Sequence, residues 1–313
     1  MAGLIALTGA TGFIGQTLVA NLLADGWRVR ALTRRLLAPM PGSAGAVELV
    51  MGDIGEAQSL ATLVRDADAV VHLAGLIKAH SLAQFMAVNR DGVRGLLAAM
   101  DQHAGKARLI HLSSLTAREP LLSAYAASKR AGEDALATVN RPWLAIRAPA
   151  VYGPADAETL KFFKLIKRGW GLVPGDGGGR LSLIHVEDLA AAIGAALRLG
   201  WNDNGVVEID DGFAEGYSLR QMSLAAAAAL NRSIRIVGGP RWAMVGFGAA
   251  AQIKAWLSGQ ADILSPGKAR EMFHRDWVAR EPKLQNRLAW RPRYDLHIGF
   301  ADTVAWYKSR NWL

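Results

Sequence analysis

The chain has no cysteine among its 313 residues. That excludes a disulfide scaffold, a thiolate nucleophile and any cysteine-ligated zinc or iron–sulfur site, and it fits a reducing compartment. Acidic residues are also short, 27 Asp and Glu against 36 Lys and Arg, and the formal net charge of +9 suits acidic ligands or an anionic surface. This excess is scattered rather than gathered into a stripe interleaved with aromatics, so no nucleic-acid footprint is present. Long apolar runs are missing too. The longest after the first strand, Trp242 to Ala251, is about half of the roughly 20 residues a membrane-spanning helix needs, which leaves it only contact with a membrane surface. The opening Met-Ala-Gly-Leu-Ile-Ala-Leu lacks a basic flank and runs directly into a glycine turn, so it reads as a buried strand and not a secretory signal. A cytoplasmic protein is expected. His72, His80, His103 and His111 show no ligand spacing with carboxylates, and no metal site is expected.

What is present is regular alternation. Short aliphatic runs predict strands near 3–8, 27–32, 47–51, 69–74, 107–113 and 143–148, separated by helical patterns at about 13–25, 57–65, 82–103 and 122–139. Right-handed crossovers then give an α/β fold: a Rossmann-type doubly wound parallel sheet with a smaller C-terminal α/β substrate-binding part. The dinucleotide-binding domain is expected over 1–150. Residues 151–313 are expected to be mostly the substrate-binding part, with some segments returning to the sheet. Further helices are predicted near 157–168 and from Val186, on either side of the glycine-rich loop 174–179, and the alanine run 225–229 is a strong helix former.

The first strand ends in Thr8-Gly-Ala-Thr-Gly-Phe-Ile-Gly15. Gly9, Gly12 and Gly15 allow a sharp turn and close approach of a pyrophosphate to the following helix N-terminus, with Thr11, Phe13 and Ile14 in the same turn. The second strand ends Thr33-Arg34-Arg35, with no carboxylate where an NAD site offers one to the ribose. Two guanidiniums there favour NADP(H) over NAD(H). After the third strand, Asp53, followed by Ile54, offers an acceptor to the adenine amino group or else caps a turn. Leu73, Ala74 and Gly75 are small or slender where the fourth strand passes the dinucleotide. Tyr125 and Lys129, four apart on one helix face, place an ammonium near a phenol, lowering its pKa for proton exchange with a carbonyl oxygen.

Together TGATGFIG at 8–15, GD at 52–53, HLAG at 72–75, VN at 88–89, SS at 113–114, YAASK at 125–129, RAPAVYGP at 147–154 and HVED at 185–188 resemble the extended short-chain dehydrogenase/reductase superfamily, also called the NAD-dependent epimerase/dehydratase family. The resemblance runs over nearly the whole chain. It implies hydride transfer by a nicotinamide, Tyr125 as proton donor or acceptor, and Lys129 on the nicotinamide ribose. Ser114 would hold the substrate oxygen, with Ser113 one register away and Thr116 more remote. Asn89 corresponds to the family's helix asparagine, or is a helix-face amide satisfied by backbone. Pro149, Ala150 and Val151 would line the nicotinamide edge, and Asp188 would be structural. Ala150 stands where sugar-nucleotide enzymes carry asparagine, so Arg147-x-Pro149 is nearer the hydroxysteroid dehydrogenase and dihydroflavonol reductase side. That side implies a small apolar alcohol or carbonyl substrate, with the segment from Trp242 lining an apolar pocket. A nucleotide-sugar epimerase or dehydratase is the alternative, and a non-catalytic dinucleotide-binding assembly or sensor protein a third. Family members commonly form homodimers, here through the helices at 82–103 and 122–139.

Overall fold

The computed structural model describes residues 3–35, 47–175, 177–200, 204–239, 266–288 and 290–313. The segment Trp242 to Ala251, expected to meet a membrane or line a pocket, lies outside them. In chain order the elements are β1 (Leu4–Thr8), α1 (Phe13–Ala24), β2 (Arg28–Thr33), β3 (Val47–Met51), α2 (Ala57–Val64), β4 (Ala69–His72), α3 (Leu82–Met86), α4 (Gly92–His103), β5 (Arg108–Ser114), α5 (Ala124–Leu136) and β6 (Trp143–Ala148). There follow β7 (Ala150–Tyr152), α6 (Ala157–Lys167), β8 (Trp170–Pro174), β9 (Arg180–Leu181), β10 (Leu183–His185), α7 (Val186–Leu199), β11 (Gly205–Glu208), α8 (Leu219–Leu230), β12 (Arg235–Gly239) and β13 (Asp276–Trp277). The chain divides into two compact units, one from Met1–Arg147, Ala190–Val207 and Asn286–Leu288, the other from Ala148–Leu189, Glu208–Gln285 and Ala289–Leu313.

The first unit carries a seven-stranded sheet in the order β11-β6-β5-β4-β1-β2-β3. β1 and β4 are buried along their whole length, as strands covered by helices on both faces must be. From β1 the chain steps outward to β2 and β3, all in parallel register, then returns to β4 on the other side of β1. The crevice at the C-terminal ends of β1 and β4 is therefore the point where a doubly wound sheet binds ligands. Leu60, Leu63, Leu96, Met100 and Leu136 of α2, α4 and α5 pack with Val70 and Leu109 of the sheet. Truncating any of these to alanine typically costs about 2–5 kcal/mol.

Three differences from the sequence expectation are physical. β4 stops at His72 and not at 74, because Leu73 N–H still bonds the Thr8 carbonyl while Ala74 N–H turns onto the Thr8 hydroxyl. The helix expected over 82–103 contains a π turn, Ala87–Asp91, between α3 and α4. The short strand β11 extends the sheet beyond β6.

In the second unit three small parallel pairs form, β7 with β10, β8 with β12 and β9 with β13. Its core is aromatic: Tyr152, Phe163, Phe300 and Tyr307 are fully buried, and Tyr307 Oη donates to the Asp156 carbonyl at 2.5 Å. The buried Asp188 carboxylate accepts from the backbone N–H groups of Arg293 and Tyr294 at 2.9–3.0 Å. Among the described residues no helix is long and apolar enough to cross a membrane.

Candidate active site

The turn after β1 is shaped by what its glycines exclude. Gly9 sits at φ +76°, and a side chain there would stand 2.8 Å from the Ala74 nitrogen and 2.9 Å from the Leu73 carbonyl carbon. A side chain on Gly15 would overlap the Gly9 carbonyl oxygen, so α1 seats directly on the turn. Gly12 caps α1 in an extended conformation without any side-chain acceptor, and the first turn of α1 carries no acidic group. Thr11 and Gly12 are exposed, with Phe13 and Ile14 partly so. The free N–H groups and positive end of this 12-residue helix thus suit a pyrophosphate, and the donor set fits a dinucleotide.

Next along the crevice, Arg34 and Arg35 are exposed after β2, and the Arg34 guanidinium lies 4.0 Å from an Asp53 oxygen. The other Asp53 oxygen accepts from Gly55 N–H at 2.9 Å, so this carboxylate braces a turn. Ile54 packs on α4, where a side chain on Gly92 would meet its Cγ1 at 3.0 Å. Gly75 is exposed; a Cβ there would stand 3.1 Å from Asn89 Oδ1 and 3.9 Å from Lys129 Nζ.

That glycine marks where the sheet meets α5. Ser123 caps α5 by accepting from Ala126 N–H at 2.9 Å, which sets the helix start just ahead of Tyr125 and Lys129. Tyr125 is half-buried with its ring against Phe85, centroids 5.9 Å apart. The buried Lys129 donates to the Leu112 carbonyl of β5 at 2.7 Å, and burial lowers its pKa to about 8, with the Glu133 charge pulling the other way. Asn89, within the π turn, accepts from Leu76 N–H at 2.8 Å and donates to Leu76 O at 3.0 Å and Ser128 Oγ at 2.9 Å. Ser128 Oγ in turn donates to the Tyr125 carbonyl at 2.7 Å. Asn89 therefore ties the loop after β4 to the turn bearing Tyr125, with every polar atom of its amide engaged.

The serine doublet separates by strand alternation. Ser113 points inward and donates to Glu133 Oε1 at 2.5 Å, while Glu133 also holds Arg147 bidentately at 2.9 and 2.7 Å. Ser114 is only partly buried, and its Oγ accepts from Thr116 N–H and Thr116 Oγ1 at 3.2 and 3.0 Å. Glu133 and Arg147 were not singled out from sequence as a pair, although Glu133 falls one helical turn after Lys129. Beneath them the buried rings of His72 and His111 stack at 5.2 Å. Burial, then the Lys129 charge, lowers the pKa of His72 to about 3 and pushes that of His111 well down, so both are neutral. Pro149, Ala150 and Val151 belong to the second unit, where Ala150 and Val151 pair with Leu183 and Ile184.

Comparisons with known proteins place the fold and the family. A ceramide reductase of Caulobacter vibrioides is 40% identical over 311 residues, spanning 99% of this chain and 96% of that protein. Among solved structures, the dTDP-glucose 4,6-dehydratase DesIV of Streptomyces venezuelae, with NAD and TYD bound, superposes with TM-score 0.75 at 23% identity, covering 99% of this chain and 98% of that one. The Thermus thermophilus UDP-glucose 4-epimerase in complex with NAD gives TM-score 0.71 at 22% identity, covering 97% and 99%. Fold and relatives define a nicotinamide-dinucleotide oxidoreductase. The chain belongs to the NAD dependent epimerase/dehydratase family, whose model matches residues 5–209, within the extended short-chain dehydrogenase/reductase superfamily.

Proposed function

We propose that this chain is an NADP(H)-dependent reductase of a carbonyl group on an apolar, ceramide-type lipid, the keto form of an N-acylated long-chain amino alcohol. The observation that carries the substrate class is the full-length likeness to ceramide reductase. Ala150 in place of the sugar-nucleotide asparagine supports the same side of the family. Arg34 and Arg35, exposed after β2 and not replaced by a carboxylate, support NADP(H), because two guanidiniums suit a 2′-phosphate.

In this reading the nicotinamide, when bound, supplies hydride to the carbonyl carbon. Tyr125 donates its phenolic proton to the carbonyl oxygen, which Ser114 Oγ holds. Lys129 binds the nicotinamide ribose, and Asn89 acts through the backbone it ties. Gly9, Thr11, Gly12, Phe13, Ile14 and Gly15 receive the pyrophosphate; Asp53, Ile54, Leu73, Ala74 and Gly75 flank the nucleotide. Residues 151–313 are mostly the substrate part, with Pro149, Ala150 and Val151 at the nicotinamide edge. Homodimerisation through the helices at 82–103 and 122–139 is a proposal of the same kind, checked by light scattering.

The test is purified protein with NADPH and a keto-ceramide, followed at 340 nm. Stoichiometric loss of NADPH is expected, faster than with NADH. Turnover of UDP- or dTDP-sugars alone, with no net absorbance change, would overturn the reading in favour of an epimerase.

A further inference from the structure

In the second unit, β8 and β12 pair in parallel with Trp170 opposite Arg235 and Leu172 opposite Val237. The inner side of this ribbon is covered: Gly171 and Val173 are buried, and a Cβ on Gly171 would meet Ser223 of α8 at 3.1 Å. Among the described residues nothing covers its outer side. Trp170, Leu172 and Val237 are 43%, 48% and 41% exposed, so three large apolar side chains share one open face.

Among the described residues, the charge on the segments that carry this face is of one sign. Lys164 and Lys167 in the last turn of α6, then Arg168, Arg232 and Arg235, are all exposed, and no acidic residue occurs in 159–175 or 229–239. Arg168, Trp170, Ser233 and Arg235 line a single hollow, so two guanidinium-bearing residues share its lining with the indole. Among the described residues none of these five basic side chains is paired with a carboxylate. A Trp with neighbouring aliphatics and a ring of Lys and Arg is the composition that lodges at a bilayer interface, the apolar groups at the acyl boundary and the cations among anionic headgroups.

We propose that the outer face of the β8–β12 ribbon docks this protein on an anionic lipid bilayer as a peripheral membrane protein. The charge complementarity selects a bilayer over a second copy of the chain, whose identical face would oppose five like charges. The proposal does not depend on the substrate, since docking needs no turnover.

The test is co-sedimentation of the full chain with vesicles of phosphatidylcholine alone and of equimolar phosphatidylcholine and phosphatidylglycerol, at low and high salt. Binding is expected on the anionic vesicles at low salt, with weak binding on phosphatidylcholine and loss at high salt. Trp170→Ser with Leu172→Ser should weaken it about tenfold, and Arg168→Glu with Arg235→Glu by about 30-fold or more, with circular dichroism and NADPH binding unchanged. Absence of binding to anionic vesicles, or equal binding by folded variants, would overturn the proposal. So would light scattering showing that the Ser variants convert a dimer to a monomer while vesicle binding stays at background.

Discussion

Lys129, proposed to hold the nicotinamide ribose, is buried at a cost in stability. Burial brings its pKa from 10.5 to about 8, while the Glu133 charge resists that fall. Above pH 8 the folded protein sheds a proton that the unfolded chain keeps until about pH 10.5, so the penalty of a buried ammonium is full below 8 and fades across that window. Lys129→Met should therefore raise stability at pH 7 by about 1–3 kcal/mol in urea unfolding, while weakening NADPH binding. In the wild type, NADPH affinity should fall as pH rises through about 8. Glu133→Gln removes the supporting carboxylate and should move that midpoint to lower pH, a shift that a purely structural role would not produce. It should also cost about 3 kcal/mol, because the buried bidentate ion pair with Arg147 is lost. Tyr125→Phe should lower turnover by about 10²–10⁴-fold with NADPH affinity retained, measured at 340 nm. Tyr125 and Lys129 stood out in the sequence by their four-residue spacing, and Ser114 by the family resemblance. The Ser113–Glu133–Arg147 chain did not, because it exists only once β5, α5 and β6 lie side by side.

At the scale of elements, the first six strands fall within two residues of their expected bounds, since buried parallel strands announce themselves as aliphatic runs. The end of β4 was legible only as far as His72, because a threonine hydroxyl 66 residues away replaces the next ladder bond. The π turn was hidden by an unbroken helical periodicity, and Gly205–Glu208 is too short to stand out against the loops beside it. The glycine turn yields a direct contrast. Gly15→Ala should abolish measurable NADPH binding and destabilise the fold, since its new methyl meets the rigid backbone of Gly9 and Ala10. Gly105→Ala, with nothing within 4 Å and no positive φ, should leave both unchanged within about 0.5 kcal/mol. Calorimetric Tm and fluorescence titration of the two variants read the difference.

For the whole molecule, a neutral histidine stack buried under a lysine makes acid a liability. His72 stays unprotonated in the folded chain down to about pH 3, whereas the unfolded chain takes up a proton near 6.5, so its contribution to stability declines as pH falls through that window. His72→Asn keeps a partner for Thr8 and removes the titration. The stability advantage of wild type over this variant should shrink between pH 6.5 and 4, as urea midpoints at several pH values will show. The architecture at this scale was readable from alternation alone. The sequence predicts that segments of 151–313 return to the sheet without saying which, and Ala190–Val207 groups with the first unit.

Under the proposed function, bound NADPH would supply hydride to a lipid carbonyl carbon while Tyr125 protonates the oxygen. Mass spectrometry of the product formed with NADPH carrying deuterium at nicotinamide C4 tests it most directly. One deuterium bound to the new carbinol carbon, formed about 10²–10⁴ times more slowly with Tyr125→Phe, is the expected result. A product without deuterium, with the labelled cofactor recovered unchanged, would contradict it.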